Sequence, residues 1–323
     1  MAATPKKRAG CLGCSFPLII GLGVVVFVLL ILGLATGGIG SQMLHLNLPS
    51  WLTIEQPVVE LPAGVVFSIG GFPVTNSMLA TWITMVFLVL VSWLITRRLR
   101  EVPRRWQMLL EFVLGNFLLG FCNRVAGEKN GRKFFPIVAT IFLFVAANAW
   151  LGLLPIYGRA ITATTTSGET ELLRAANTDL NTPLALAIVS FIAVTYFGLR
   201  LVGIKYLKQF FNFGKLGSGF KTLFRGNLKG ALGGLFTGVI DAFIGFIEFL
   251  SMLIRIVSFT FRLFGNMTAG EILLLMATFL APFVFPLPFY GLELLVGFIQ
   301  ALIFAGLTLI FLTVAVASHG EEH

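Results

Sequence analysis

Residues 231–281 read ALGGLFTGVIDAFIGFIEFLSMLIRIVSFTFRLFGNMTAGEILLLMATFLA, with no proline before Pro282 and no polar turn. As one helix the stretch would run roughly 75 Å at 1.5 Å per residue, against a bilayer hydrocarbon core of ~30 Å. It is therefore either two spans joined without a turn or one long helix lying steeply tilted. The unbroken pattern favours the tilted helix, with Gly265 or Gly270 as bend points. Six charged residues stand within 231–317: Asp241, Glu248, Arg255, Arg262, Glu271 and Glu293. The first four recur every seven residues, which turns a helix by about 700°, so the row drifts only ~20° per step and keeps to one face. Asn266, four residues past Arg262, joins that face. Glu271 falls on the opposite side of a straight helix, and Glu293 and Gln300 share a face of the last apolar run.

Charges are rare elsewhere too. Of 323 residues, 57% are hydrophobic and 11% charged, and mean hydropathy is +0.94. An ordinary soluble domain carries about 25% charged residues, so the composition is that of an integral membrane protein. Apolar runs cover 17–38, 78–96, 134–156, 183–204, 231–281 and 291–317. The fold class predicted is all-α and polytopic, with about six apolar helices.

The net charge of +9 would suit a nucleic-acid partner only on a soluble basic surface. Here the 23 basic residues lie mostly between apolar runs. Three precede the first run and none falls in 39–77. Nine lie in 97–133, two in 157–182 and seven in 200–229; Arg255 and Arg262 are inside a run. Rich and poor segments alternate, as the positive-inside rule requires. That puts the N-terminus, 97–133 and 205–230 on the cytoplasmic side and 39–77 and 157–182 outside. The apolar segment 106–123, flanked by basic clusters, is predicted to form an interfacial helix or half-hairpin on the cytoplasmic side. The 205–230 loop is expected to hug the membrane through Phe210, Phe211 and Phe213.

Lys6, Lys7 and Arg8 before the run at 17–38 resemble a signal peptide. The run is longer than a usual signal core and no A-x-A site follows, which favours an uncleaved anchor. The expected organisation is thus a leader and anchor over 1–40 and a membrane domain over 41–323. Cys11 and Cys14 form a CxxC without the second pair a zinc site needs, and Cys122 reads as packing.

A charged side chain at the bilayer centre costs ~3 kcal/mol on insertion scales, so such residues face a bundle interior or a water path. Arginine does not give up its proton and acts only as a fixed positive charge. A carboxylate in low dielectric can take up and release a proton near neutral pH. Carboxylates interrupted by an immovable arginine suggest two proton-accessible paths separated by an electrostatic barrier. Surface charges of a tilted helix, or ion pairs joining the bundle, are the plainer alternative. No phosphate-cradling loop, metal-ligand cluster or Ser/His/Asp arrangement is present, and His45, His319 and His323 lie outside the apolar runs. No cofactor, bound nucleotide or bond chemistry is expected.

The run Ser258–Glu271, SFTFRLFGNMTAGE, resembles the RLFGNMxAGE/H signature of the a subunit of rotary ATP synthase. Ile299–Thr308, IQALIFAGLT, is similar to that family's IQAxIFxxLT motif, and the ending SHGEEH fits its usual C-terminus. Upstream, Thr75-Asn76-Ser77 with Trp82, Val102-Pro103, Glu111, Phe134-Phe135-Pro136, Thr140-Ile141-Phe142 and Asp179-Leu180-Asn181-Thr182 also resemble it. The likeness covers roughly 60–323. It implies a proton-conducting stator against which a ring of c subunits turns, held by b-type peripheral stalk subunits in a bacterial plasma membrane, with both termini cytoplasmic. Arg262 matches the arginine that faces the ring carboxylate and blocks a short circuit. Glu271, Glu293, Asn266 and Gln300 match the half-channel open to the periplasm, and Glu248 the acidic position of the cytoplasmic half-channel. The last two helices would curve, tilted, around the ring.

Two features depart from the family pattern. Many members pair a histidine with a glutamate at the two channel positions, whereas Glu271 and Glu293 are both acidic and would share protons as a coupled pair. The helix at 17–38 is additional to the shorter forms. A secondary proton- or sodium-coupled transporter is the alternative function; it would carry paired repeats and discontinuous helices, which are not evident. A structural scaffold would tolerate loss of Arg262.

Overall fold

The computed structural model describes residues 16–45, 49, 56–57, 62–97, 105–154, 157, 162–165, 168–203, 206 and 228–317. The leader with Lys6, Lys7, Arg8, Cys11 and Cys14, most of the 205–230 loop with its three phenylalanines, and residues 318–323 lie outside them. The described chain is mostly helical and divides into two compact units: Met1–Glu60 with Ala269–Glu293, and Leu61–Thr268 with Leu294–His323.

In the first unit, helix α1 (Phe16–Thr36) carries no charge and exposes Leu18, Leu22, Val25 and Phe27. Its contacts concentrate at its C-terminal end. Gly33, Thr36 and Gly37 are buried, as is Gly38 just beyond, before a π-helical turn over Ile39–Met43. They pack on the end of the long helix α6 (Leu228–Leu280) and on the turn that leads to α7 (Leu287–Ala317). In that turn Phe283 has φ 75°, which a bulky residue adopts at a cost of about 1–3 kcal/mol, so its surroundings must hold it.

The second unit begins with a short hairpin, β1 (Val65–Ile69) and β2 (Phe72–Thr75), in what the sequence presents as a loop. Gly70 and Gly71, both at positive φ, make the two-residue turn that glycine closes without strain. Thr75 caps helix α2 (Asn76–Thr96) by accepting from Met78 N at 3.4 Å. A second hairpin, β3 (Thr162–Thr165) with β4 (Gly168–Glu171), lies in the next loop.

Between them the chain runs through α3 (Arg105–Glu111), a π-helical stretch (Phe112–Leu119) and α4 (Gly120–Gly152). Gly127, at φ 76° and ψ 158°, breaks α4 in a region essentially reserved for glycine. The arms fold back on each other so closely that a Cβ on Gly131 would meet Asn123 backbone atoms at 2.9 Å. Of the two forms foreseen for 106–123, the structure has the hairpin. Its first arm buries Leu118 and Cys122 fully in the bundle and sets Phe117 6.3 Å from Phe142. Helix α5 (Asn181–Val202) follows.

Helix α6 is one uninterrupted helix, so the apolar stretch from 231 onward is a single long element and not two spans. The core of this unit is Leu118, Phe134, Val138, Val145, Leu263, Phe304, Leu309 and Leu312, none more than 2% exposed. Phe134 stands edge-on to Phe197 at 5.2 Å and Phe259 leans on Phe304 at 4.8 Å. Outside this core large apolar side chains are exposed throughout, Phe236, Phe243, Ile254 and Phe261 on α6 among them.

Six helical stretches among the described residues are long and apolar enough to cross a membrane: Leu18–Thr36, Asn76–Thr96, Gln107–Gly152, Asn181–Val202, Phe236–Leu280 and Leu287–Ala317. The protein is a multi-pass, all-α membrane protein.

Candidate functional site

On α6 the residues that pack inward are Gly245, Met252, Phe259, Leu263 and Met267, a seam that repeats every seven residues and then every four. Glu248, Arg255 and Arg262 each stand four residues before a member of that series or, for Arg262, before exposed Asn266. They are half-buried, along the border between the packed seam and the exposed apolar face. Asp241 is half-buried on the same row.

The members of the charged row do not share one environment. Arg255 turns into the bundle: its guanidinium carbon sits 3.6 Å from the centroid of the Phe311 ring, a cation–π contact. Beside it Ser190 and Thr308 hydroxyls hydrogen-bond across α5 and α7 at 2.8 Å. A cavity of about 20 Å³, room for one water, opens between Ser190, Met252, Arg255, Phe259 and Phe311. Tyr206, buried against Gly198, lies near Arg255 and Glu248, and burial pushes its phenol above the usual value. Arg262 is different. Among the described residues it has no hydrogen-bond or ion-pair partner within the chain.

One turn beyond Arg262, Asn266 Nδ2 donates to Gln300 Oε1 at 2.8 Å, tying α6 to α7. Gln300 is 2% exposed, and its Nε2 has no hydrogen-bond partner among the described residues. Glu293 and Gln300 both lie on the packed stripe of α7, with Gly297, Ala301, Phe304, Ala305 and Thr308. The small residues let neighbours approach: a Cβ on Gly297 would lie 2.8 Å from Ala149 Cβ. Trp150, beside it, donates to Leu294 O at 3.2 Å.

In the other unit, buried Glu293 (8% exposed) lays its carboxylate over Gly270, in the space a side chain there would fill. The next residue on α6 is half-buried Glu271. Gly270 and Glu293 stand nearly equidistant from Pro282, twelve residues before it and eleven after, so the turn sets which residues meet.

Of the six residues singled out from sequence, the structure thus joins Asn266 to Gln300 directly and seats Glu293 against the residue preceding Glu271. Glu248 lies a heptad below Arg255, near Tyr206. The sequence reading missed Phe311 and Ser190, and it named Gly270 only as a bend point and Thr308 only within a motif. It also missed Thr84, whose hydroxyl donates to Asn148 Oδ1 at 3.0 Å. Ser and Thr in apolar helices commonly bond back to the i−4 carbonyl, as Thr260 and Thr308 do, so their presence in a span carries no signal of a cross-helix role. Away from these helices, Ser77 Oγ donates to Asp179 Oδ2 at 2.7 Å. The bond brings together two of the quoted stretches, 75–77 and 179–182.

Apolar helices in this number, with arginines, carboxylates and amides along the last two, define a multi-pass membrane protein with ionisable residues inside its spans. Comparison with known proteins gives the family. The family described as ATP synthase A chain matches residues 78–313. ATP synthase subunit a of Gloeobacter violaceus is 32% identical over 266 residues, 82% of this chain and 94% of that one. ATP synthase subunit a 3 of Pelobacter propionicus is 33% identical over 232 residues, 72% of this chain and 83% of that one. The subunit a of Geotalea daltonii is 30% identical over 234 residues. The chain belongs to the ATP synthase A chain family. It is a membrane-sector subunit that works within the ATP synthase complex, in the sector's ion-translocating role, and the transporter alternative falls with that membership.

Proposed function

We propose that the chain conducts protons between each face of the membrane and a ring of c subunits, through two offset half-channels, without bond chemistry of its own. What carries the proposal is Arg262: a permanent positive charge, half-buried on an apolar helix, with no partner among the described residues of its own chain. Such a charge is costly in a membrane unless something outside the chain faces it. A ring carboxylate would supply that counter-charge, and each would stay ionised while opposed.

In this reading Asn266 and Gln300 flank the arginine as neutral amides that bond protonated and ionised carboxyls alike. Gln300 Nε2 supplies a free donor toward water or an arriving carboxylate. Glu271 and Glu293 load protons from the outer side, and Glu248 releases them toward the cytoplasm. The exposed Phe and Ile face of α6 suits an apolar ring surface, with α6 and α7 tilted along it. The peripheral stalk's b-type subunits hold the chain still, and the plasma membrane houses it, with both termini cytoplasmic. The cargo is a proton, and no cofactor takes part.

Arg262→Ala tests this in inverted vesicles by ATP-driven quenching of a pH-sensitive dye. The expected outcome is loss of pumping together with a passive proton leak; retained, tightly coupled pumping overturns the assignment.

A further inference from the structure

Helix α1 lies outside the residues matched by the family, 78–313, and an anchor would need nothing from it but apolarity. Its glycines ask for more. A Cβ on Gly33 would run into the carbonyl oxygen of Pro282, one on Gly37 into that of Leu280, and one on Gly38 into the ring of Phe279. The first two obstacles are backbone, which cannot swing aside as a side-chain tip can. Gly21 and Gly23, on the same helix, would meet nothing within 4 Å. Close approach is therefore confined to one end of α1 and aimed at one segment, 279–282.

That segment is also where the backbone is strained. The Pro282 carbonyl immediately precedes Phe283, at φ 75°, and a conformation of that kind persists only where its surroundings over-determine it. The same turn sets the register that lays the Glu293 carboxylate over Gly270, beside Glu271.

We propose that α1 is a clamp on this turn, with Gly33 and Gly37 as positioning residues that hold Glu271 and Glu293 in register for proton loading. Larger residues at either glycine push the turn away, shift α6 against α7 and move the Glu293 carboxylate off Gly270. The proposal rests on the reading of this pair as the loading site, and the experiment separates the two.

The full-length chain is expressed within its complex, and ATP synthesis driven by an imposed proton gradient is measured against pH on the outer side. Gly33→Val and Gly37→Val are expected to move the midpoint of that profile, since the Glu293 carboxylate loses its seat over Gly270. Gly21→Val and Gly23→Val are expected to superimpose on the parent. A simple loss of folded complex lowers the rate at every pH and leaves the midpoint in place. Glu293→Gln serves as the reference. If it changes the profile and the Gly33 and Gly37 variants do not, the clamp is wrong; if Glu293→Gln itself changes nothing, the loading-site reading fails.

Should the valine variants not accumulate, a cross-link decides. With Cys11, Cys14 and Cys122 replaced by serine, Gly38→Cys and Phe279→Cys are treated in membranes with a short bifunctional thiol reagent. Efficient linkage supports the clamp. No linkage, or a mature chain whose intact mass lacks α1, overturns it.

Discussion

Gln300 and Asn266 share one hydrogen bond but not one environment, and the difference makes a directional prediction. Gln300 is 2% exposed, while Asn266 is exposed on α6. Asn266→Ala removes the donor at 2.8 Å and leaves the Gln300 amide buried with its carbonyl unsatisfied. An orphaned buried polar group costs about 1–3 kcal/mol, equivalent to roughly 5–150-fold in a folding equilibrium at 1.4 kcal/mol per decade. Interhelical hydrogen bonds in membranes average ~0.6 kcal/mol, which places the expectation at the low end of that range. Gln300→Leu instead deletes the buried amide and leaves Asn266 free to find another partner, so it should cost less than about 1 kcal/mol. The double variant should then resemble Gln300→Leu alone. The assay is thermal melting of the detergent-solubilised complex, followed by gel filtration with detection on this chain. Stability is the proper readout because the proposed function also sets both residues along the proton path, where pumping would fall in every variant. If Gln300→Leu destabilises more than Asn266→Ala, or the two effects simply add, the burial asymmetry is not what governs the pair.

Gly270→Ala puts a methyl group where the Glu293 carboxylate lies. The obstacle is the tip of a flexible side chain, so the complex should assemble normally while ATP-driven pumping slows several-fold; wild-type pumping would mean the carboxylate's seat is immaterial. Glu271→Gln combined with Glu293→Gln should abolish most pumping in inverted vesicles, and an unaffected rate would remove the outer half-channel from this pair. Phe311→Leu takes the ring from beneath Arg255 and should lower stability by about 0.5–2 kcal/mol, seen as a lower melting temperature. No change would show that Arg255 is held by other contacts.

What was legible in the sequence was local. The heptad row from Asp241 to Arg262 and the shared face of Glu293 and Gln300 follow from helical period alone, and α6 and α7 carry them as expected. The half-hairpin at 106–123 was one of two readings because the flanking charges do not say which way the helix turns. Gly127, the only residue type that holds φ 76° with ψ 158° without strain, chose between them. The two short hairpins escaped notice for a related reason: each is only a few residues long, and the loops that hold them lack strand-length alternation.

The scarcity of charge and the length of six apolar runs determined by themselves that this is a multi-pass membrane protein, because a bilayer sorts residues one at a time by transfer free energy. The arginine signature and the helical period determined which residues could work together. Tertiary structure decided which of them meet. Whether Asn266 meets Gln300, and whether Glu293 settles over Gly270, depends on the register of two helices joined by a six-residue turn whose strained Phe283 gives no sign of its conformation in sequence. Likewise, that the apolar helix α1 grips a backbone turn and does not merely span could come only from seeing Gly33 and Gly37 against Pro282 and Leu280. Register and close approach are properties of pairs of elements, set by packing shape, and no single stretch of sequence contains them.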